Sequence, residues 1–109
     1  MECYYGLHGK VNAVLGASDD LAAILLEAAE SLRRNPACLL YVTFAEDDPN
    51  GIWVTEAWTD QQAHDDSLQP DEVRAIIARA RPLIAGFGER QEYQTLGGKG
   101  LPRDGLRET

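Results

Sequence analysis

The chain has little of what marks several large classes of protein. It contains two cysteines in 109 residues. Cys3 and Cys38 do not form a CxxC pair, so neither a zinc finger nor a dithiol redox motif is indicated. No apolar run approaches the roughly 20 residues that a membrane-spanning helix needs. The first ten residues also lack the basic start and apolar block of a signal peptide. We therefore expect a cytoplasmic protein whose cysteines are free thiols.

Positive charge is also scarce. Ten Lys and Arg residues face 18 Asp and Glu residues, which gives a formal net charge of -8. Binding to a phosphate backbone or to an anionic membrane needs clustered basic residues, so we expect neither nucleic acid nor a membrane as a partner. The acidic run Glu46-Asp47-Asp48 is better explained as a solvated turn than as a cation site. No His, Cys or carboxylate cluster has metal-ligand spacing.

The most informative stretch is residues 38–60, which reads CLLYVTFA, EDDPNG and IWVTEAWTD. Two runs rich in β-branched and aromatic residues flank a cluster of turn residues, which predicts a β-hairpin. We expect Asn50-Gly51 to supply the positive φ of a tight turn. Both faces of each strand are largely apolar, which indicates cover on both sides, so we expect the hairpin to form the centre of a sheet.

The rest of the chain alternates strand and helix patterns. The predicted elements are a strand over residues 4–14, a helix capped by Ser18 and stopped at Asn35-Pro36, the hairpin, a short helix capped by Thr59 or Asp60, a helix from Pro70 to Pro82, and a strand over residues 87–96. The order β-α-β-β-α-β is that of the ferredoxin-like α+β fold, a four-stranded antiparallel sheet with its helices on one face. We expect one domain over residues 1–97, followed by a Gly-rich charged tail over residues 98–109. A homodimer would cover the other face of the sheet.

The residues around the hairpin carry a resemblance to a known family. Asn35-Pro36-Ala37-Cys38 precedes the first strand, and IWVTEAWTD is followed by a short helix with His64. This stretch resembles the antibiotic biosynthesis monooxygenase domain family. The resemblance implies a dimeric α+β barrel, and enzymes that oxidise quinol-like or polycyclic phenolic molecules with O2 and use no metal or flavin. A related branch degrades haem.

The resemblance implies three candidate catalytic residues, each with a structural alternative. Trp58 matches the pocket tryptophan of the family, and a core aromatic residue is the other interpretation. Glu56 shares its strand face and would be a base with a raised pKa, although a buried partner of an arginine is the favoured alternative. His64 is the third candidate, because histidine is the residue type suited to proton transfer near neutral pH, and a histidine on the helix surface beside Asp60 and Asp65 is the other interpretation.

Four further residues are candidates for binding substrate. His8 and Asn12 fall on the polar face of the first strand, where solvent is the alternative to a pocket, whereas Tyr41 and Phe44 would wall a pocket or pack. We therefore predict a cofactor-independent monooxygenase that uses O2 as co-substrate and acts on a small aromatic molecule. The alternatives are a haem-binding or haem-degrading relative and a non-enzymatic dimeric module that binds a small molecule.

Overall fold

A computed structural model describes residues 3–48 and 50–101, and in this part of the chain the predicted order of elements is confirmed. The strands and helices are β1 (Tyr4–Ala13), α1 (Ser18–Leu32), β2 (Cys38–Ala45), β3 (Gly51–Trp58), α2 (Gln61–Asp66), α3 (Asp71–Ala80) and β4 (Ile84–Thr95). A short 3-10 turn, Arg81–Leu83, joins α3 to β4. No described helix has the length and apolar character that crossing a membrane requires. The predicted tail begins at Gly98, and its part from residue 102 to 109 lies outside the described residues.

The four strands form one antiparallel sheet in the order β2-β3-β1-β4. This is the ferredoxin-like topology that the sequence predicts. The expectation that the hairpin forms the centre of the sheet is wrong for its first strand, because β2 is an edge strand. The connection through α1 leaves a gap between β1 and β2, and the hairpin turn returns β3 into that gap. β3 and β1 are therefore the central strands.

Two local predictions are corrected by the backbone. Ser18 is the first helical residue of α1 rather than its cap, since Ala17 holds the cap position and no side chain caps the helix there. β4 begins three residues earlier than residue 87, because Ile84 already pairs with Ala13 and Gly86 with Asn12. A more exposed strand gives a weaker alternating pattern, so its start is hard to locate from sequence.

The hairpin turn uses Gly51 for space rather than for positive φ, contrary to expectation. Among the described residues, positive φ occurs only at Gly16, Gly97, Gly98 and Gly100. The turn is closed by Asp48, whose carboxylate accepts a hydrogen bond from the Asn50 N–H at 3.0 Å and whose carbonyl accepts one from the Gly51 N–H at 3.1 Å. A Cβ atom at Gly51 would run into the carboxylate of Glu46, which pairs with Lys10 at 2.8 Å. Glycine leaves room for that pair.

The strand register separates two faces of the sheet as the alternating pattern predicts. Tyr5, Leu7 and Val11 lie opposite Trp58, Glu56 and Ile52, so these side chains share the face that carries the helices. His8 and Lys10 lie opposite Thr55 and Trp53 on the other face, which we call the open face. A sealed core of Ala13, Leu21, Ile52 and Ala80 lies between the helices and one end of the sheet.

Leu21 is fully buried in this core, whereas Leu26 on the same helix is 57% exposed. We expect Leu21→Ala to lower the free energy of unfolding by about 2–5 kcal/mol, because it removes buried methyl groups and leaves a cavity. Leu26→Ala is the matched control and should change it by less than about 0.5 kcal/mol. Urea unfolding followed by circular dichroism measures both, and equal effects would contradict this placement of α1.

Candidate active site

A cavity of about 150 Å³ lies between the two long helices and the sheet, beside the sealed core. Its wall is mostly aliphatic, and its polar side chains come from α1, β2, β3 and α2 with its C-cap. The residues that matter for the argument are Leu25, Tyr41, Glu56, Trp58, His64 and Ile76. An apolar cavity of about this size is known to accept a molecule such as benzene. The space therefore suits a single aromatic ring.

Strand alternation brings Glu56 and Trp58 into this cavity together, since residues two apart on a strand point to the same face. Trp58 is 1% exposed. Its indole Nε1 donates a hydrogen bond to Glu56 Oε1 at 2.9 Å. The sequence predicts both residues on one face, and the structure places them in direct contact. The partner of Glu56 is an indole N–H rather than the arginine of the favoured alternative.

His64 reaches the same place from α2, whose start is fixed by Asp60. Asp60 Oδ1 accepts a hydrogen bond from the Ala63 N–H at 2.7 Å, as expected of a cap. The His64 side chain is 13% exposed and points inward, and its ring meets the ring of Trp58 edge-on at a centroid distance of 5.5 Å. Its Nε2 lies 3.8 Å from Glu56 Oε1, and its Nδ1 lies 3.1 Å from an oxygen of Asp65. The predicted contact with Asp65 exists, but the ring is not on the helix surface.

Tyr41 enters the cavity because of an irregularity in the β2–β3 register. Cys38 pairs with Trp58, but Leu40 rather than Leu39 pairs with Ala57, so one extra residue lies in β2. This shift places Tyr41 opposite Glu56. A shift of one residue moves every following side chain to the other face of a sheet, so Tyr41 depends on it for its position.

Burial dominates the electrostatics of the site. It raises the pKa of Glu56, while the Trp58 hydrogen bond and the nearby His64 and Arg90 act in the opposite direction. Burial, together with the charge of Glu56, also raises the pKa of Tyr41 above its usual value. The same causes raise the pKa of Cys38 to about 11, which keeps it a thiol at neutral pH and makes it unlike an activated nucleophile. Glu56 and His64 are the groups suited to accept a proton.

The structure does not bring His8, Asn12 and Phe44 to this cavity. His8 lies on the open face, where its Nδ1 hydrogen-bonds with Thr55 Oγ1 at 2.6 Å and its ring stacks on Trp53 at 4.8 Å. Phe44 lies opposite Trp53 on the same face and is 49% exposed. Asn12 pairs with Gly51, also on that side of the strand. Of the four residues predicted to bind substrate, Tyr41 alone lines the cavity.

Several residues of the site escape sequence reasoning. Tyr5 lies opposite Trp58 in register, and its ring lies 5.6 Å from that of His64. Ser67 is buried and donates a hydrogen bond from Oγ to the carbonyl of His64 at 2.5 Å. Leu25 and Ile76 follow the helical periodicity of core residues, and nothing in that pattern shows that space remains between them. Only the assembled sheet and helices reveal these contributions.

These features define a class: a ferredoxin-like α+β domain with a ring-sized apolar cavity between helices and sheet, and with a buried carboxylate, an indole and an imidazole in contact. The family model of antibiotic biosynthesis monooxygenase matches residues 5–79. The chain therefore belongs to the antibiotic biosynthesis monooxygenase family. No curated protein matches it.

Solved structures support the same assignment. A Chloroflexus aurantiacus protein described as a "putative Antibiotic biosynthesis monooxygenase" is 43% identical, with 91% of this chain and 99% of that chain covered and a TM-score of 0.84. PA3566 from Pseudomonas aeruginosa is 17% identical over 89% of this chain and 98% of its own, with a TM-score of 0.78. A mutant of SnoaB from Streptomyces nogalater, described as a cofactor-independent oxygenase, is 16% identical over 88% and 96%, with a TM-score of 0.73. The last two show likeness of fold alone.

The raised pKa of Glu56 has a consequence for stability that a substitution can test. Below about pH 4, where an ordinary glutamate is protonated, both the folded and the unfolded chain carry a neutral group. As pH rises, the unfolded chain releases this proton first, so the free energy of unfolding falls until the folded group ionises and stays lower above that pH. We expect Glu56→Gln to be at least as stable as the wild type at pH 7, with the advantage shrinking towards pH 4.

Thermal unfolding between pH 4 and pH 8 measures this difference. Glu30→Gln is the control, because Glu30 is exposed and pairs with Arg33, the exposed C-cap residue of the same helix. Its stability relative to the wild type should show no such rise with pH. A Glu56→Gln variant that is clearly less stable at pH 7 would mean that the carboxylate is a net stabilising partner.

Proposed function

We propose that this protein is a cofactor-independent monooxygenase that oxidises a quinol-like or other electron-rich phenolic molecule with O2. One observation carries the proposal. A buried carboxylate, Glu56, lies in an apolar ring-sized cavity within 2.9 Å of an indole N–H and 3.8 Å of an imidazole nitrogen. A base in a dry pocket with aromatic walls is what deprotonation of a phenol requires.

Once a base has removed the phenolic proton, the electron transfer in this reaction involves only the substrate and O2. A deprotonated hydroquinone is electron-rich enough to reduce O2 itself, which gives a peroxide on the ring. Cleavage of the O–O bond then leaves one oxygen atom on the ring and releases the other in water. Hydroquinone and O2 thus yield hydroxyquinone and water. O2 accepts four electrons: two are accounted for by the oxygen atom inserted into the ring, and the other two leave the ring with two protons as hydroquinone becomes quinone.

In this proposal the residues of the cavity have distinct roles. Glu56 takes the phenolic proton, because burial raises its pKa towards the working pH. His64 lies beside this base, since its Nε2 is 3.8 Å from the same carboxylate oxygen. Trp58 and Tyr41, on two neighbouring strands, hold the substrate ring in one orientation, which lowers the entropic cost of reaching a reactive geometry.

Other lines of support are indirect. The family name and the description of SnoaB as a cofactor-independent oxygenase agree with the proposal, although SnoaB is a distant relative. The cytoplasmic location, with no nucleic acid or membrane as partner, stays a prediction from the sequence.

Oxygen uptake with methylhydroquinone tests the proposal. We expect Glu56→Gln and His64→Ala each to lower kcat by about 10²–10⁴, the range that general-base catalysis contributes. Gln62→Ala is the control, because Gln62 lies on the same short helix and is exposed, bonding only to Asp66. It should keep wild-type uptake. The proposal fails if the wild type consumes no O2 with any hydroquinone or anthrone, or if the three variants behave alike.

The two alternatives make different predictions. A haem-binding relative should shift the Soret band of added haemin in a manner that depends on His64 or His8, yet His8 contacts Thr55 and Trp53 on the open face, away from the cavity that His64 lines. A non-enzymatic binding module needs no titrating residue in its cavity, and this cavity contains Glu56 and His64. Both observations favour the oxygenase.

We also propose that the protein is a homodimer that pairs through the open face. Phe44 and Tyr93 lie on that face and are 49% and 52% exposed, next to the stacked pair of Trp53 and His8. Large aromatic side chains of this kind are enriched where proteins associate. Burying them would cover the side of the sheet that lacks helices.

Phe44→Glu should shift the protein from dimer to monomer, because it would bury a charge in the proposed interface. Light scattering coupled to size exclusion, over a tenfold range of protein concentration, reports the mass. Leu26→Glu, at a position on α1 that is 57% exposed, should leave the dimer intact. A wild-type protein that is monomeric at every concentration would refute this interface.

A further inference from the structure

Two more cavities open beside β4, on the same side of the sheet as the candidate active site. One has a volume of about 250 Å³ and the other about 620 Å³. Together they form a trough between the helices and β4, which we define by Val11, Leu25, Ile77, Ile84, Ala85 and Phe87. The walls of the trough are mostly apolar, and besides Glu56 four charged residues line the two cavities: Lys10, Arg81, Glu89 and Arg90.

The trough adjoins the ring-sized cavity and shares lining residues with it. Leu25 lines all three spaces. Tyr41 and Glu56 line both the ring cavity and the smaller part of the trough, while Val11 and Phe87 line both parts of the trough. The trough therefore begins beside the carboxylate of Glu56 and extends to the side chain of Phe87.

Phe87 gives this path an apolar outer wall that is exposed to water. It is 76% exposed and lies opposite Val11, which places it on the helix-facing side of β4. A single exposed apolar residue is ordinary on a protein surface, but this one continues an apolar wall that begins at the active site. A hydrocarbon chain that covered it would remove apolar surface from water on both partners.

We infer that the ring substrate carries an alkyl tail, and that the tail lies in the trough while the ring occupies the cavity at Glu56. This inference rests on the proposed function. The ring cavity has room for little more than the ring, whereas the adjoining space is larger, mostly apolar and bordered by the exposed Phe87. An alkylated phenol or hydroquinone fits both parts, with its hydroxyl group at Glu56.

Binding of 4-alkylphenols from methyl to octyl, measured by calorimetry, tests the inference without turnover. We expect Kd to fall by up to about fourfold for each methylene group that enters the trough. Phe87→Asp should flatten this dependence and leave the affinity for 4-methylphenol unchanged, because it places a charge in the wall of the trough and spares the ring cavity. Leu26→Asp is the matched control, since Leu26 is also an exposed apolar residue but lines none of the three spaces.

The outcomes separate this inference from the proposed function, which is read by oxygen uptake with 2-alkylhydroquinones. Tail-dependent affinity that Phe87→Asp abolishes and Leu26→Asp retains supports the trough, even if no O2 is consumed. An affinity independent of tail length overturns it, even if methylhydroquinone is oxidised. If dependence on tail length appears only after removal of residues 102–109, or only on dilution to monomer, then the chain's own end or a second copy fills the trough, and the inference is wrong.

Discussion

The hydrogen bond from the Trp58 indole to the Glu56 carboxylate is the interaction on which the site depends. A carboxylate withdrawn from water is costly unless a donor replaces the lost hydration. Trp58 supplies that donor at 2.9 Å, and Nε2 of His64 lies 3.8 Å from the same carboxylate oxygen. The same contacts lower the pKa of Glu56, while burial raises it, and burial prevails. The hydrogen bond from Trp58 therefore offsets part of the cost of burying the Glu56 carboxylate, and this carboxylate is still more basic than that of a surface glutamate.

Much of the fold follows from patterns of two and of 3.6 residues. The alternation in β1 and β3 predicts both faces of the sheet, and the register confirms it through pairs such as Leu7 with Glu56. The failures have local causes. Gly51 looks like a positive-φ turn residue, but its role is to leave space for the pair of Lys10 and Glu46. Strand order is not encoded in the hairpin itself, since it depends on where the later strand β4 is added.

The site was predictable only in part. Glu56 and Trp58 share a strand face by simple alternation, so their proximity follows from sequence. The inward direction of His64 does not, because the rotation of a helix of six residues is set by the Asp60 cap and by the ring of Trp58. Tyr41 reaches the cavity because one extra residue in β2 shifts the register. No residue type in β2 predicts such a shift from the sequence. The same shift places Phe44 on the open face.

Helix α1 explains why core and cavity exist side by side. Leu21, Leu25 and Ala28 follow one another along its inner face at helical spacing. Leu21 seals the core, Leu25 stands where the three spaces meet, and Ala28 lines the ring cavity. Ala28 is shorter than Leu21 and Leu25, so α1 leaves space beside it, and Leu32 lines the same cavity one turn further on. Filling that space with a larger residue at position 28 would add apolar contacts and remove the site, so the cavity is maintained at the expense of packing.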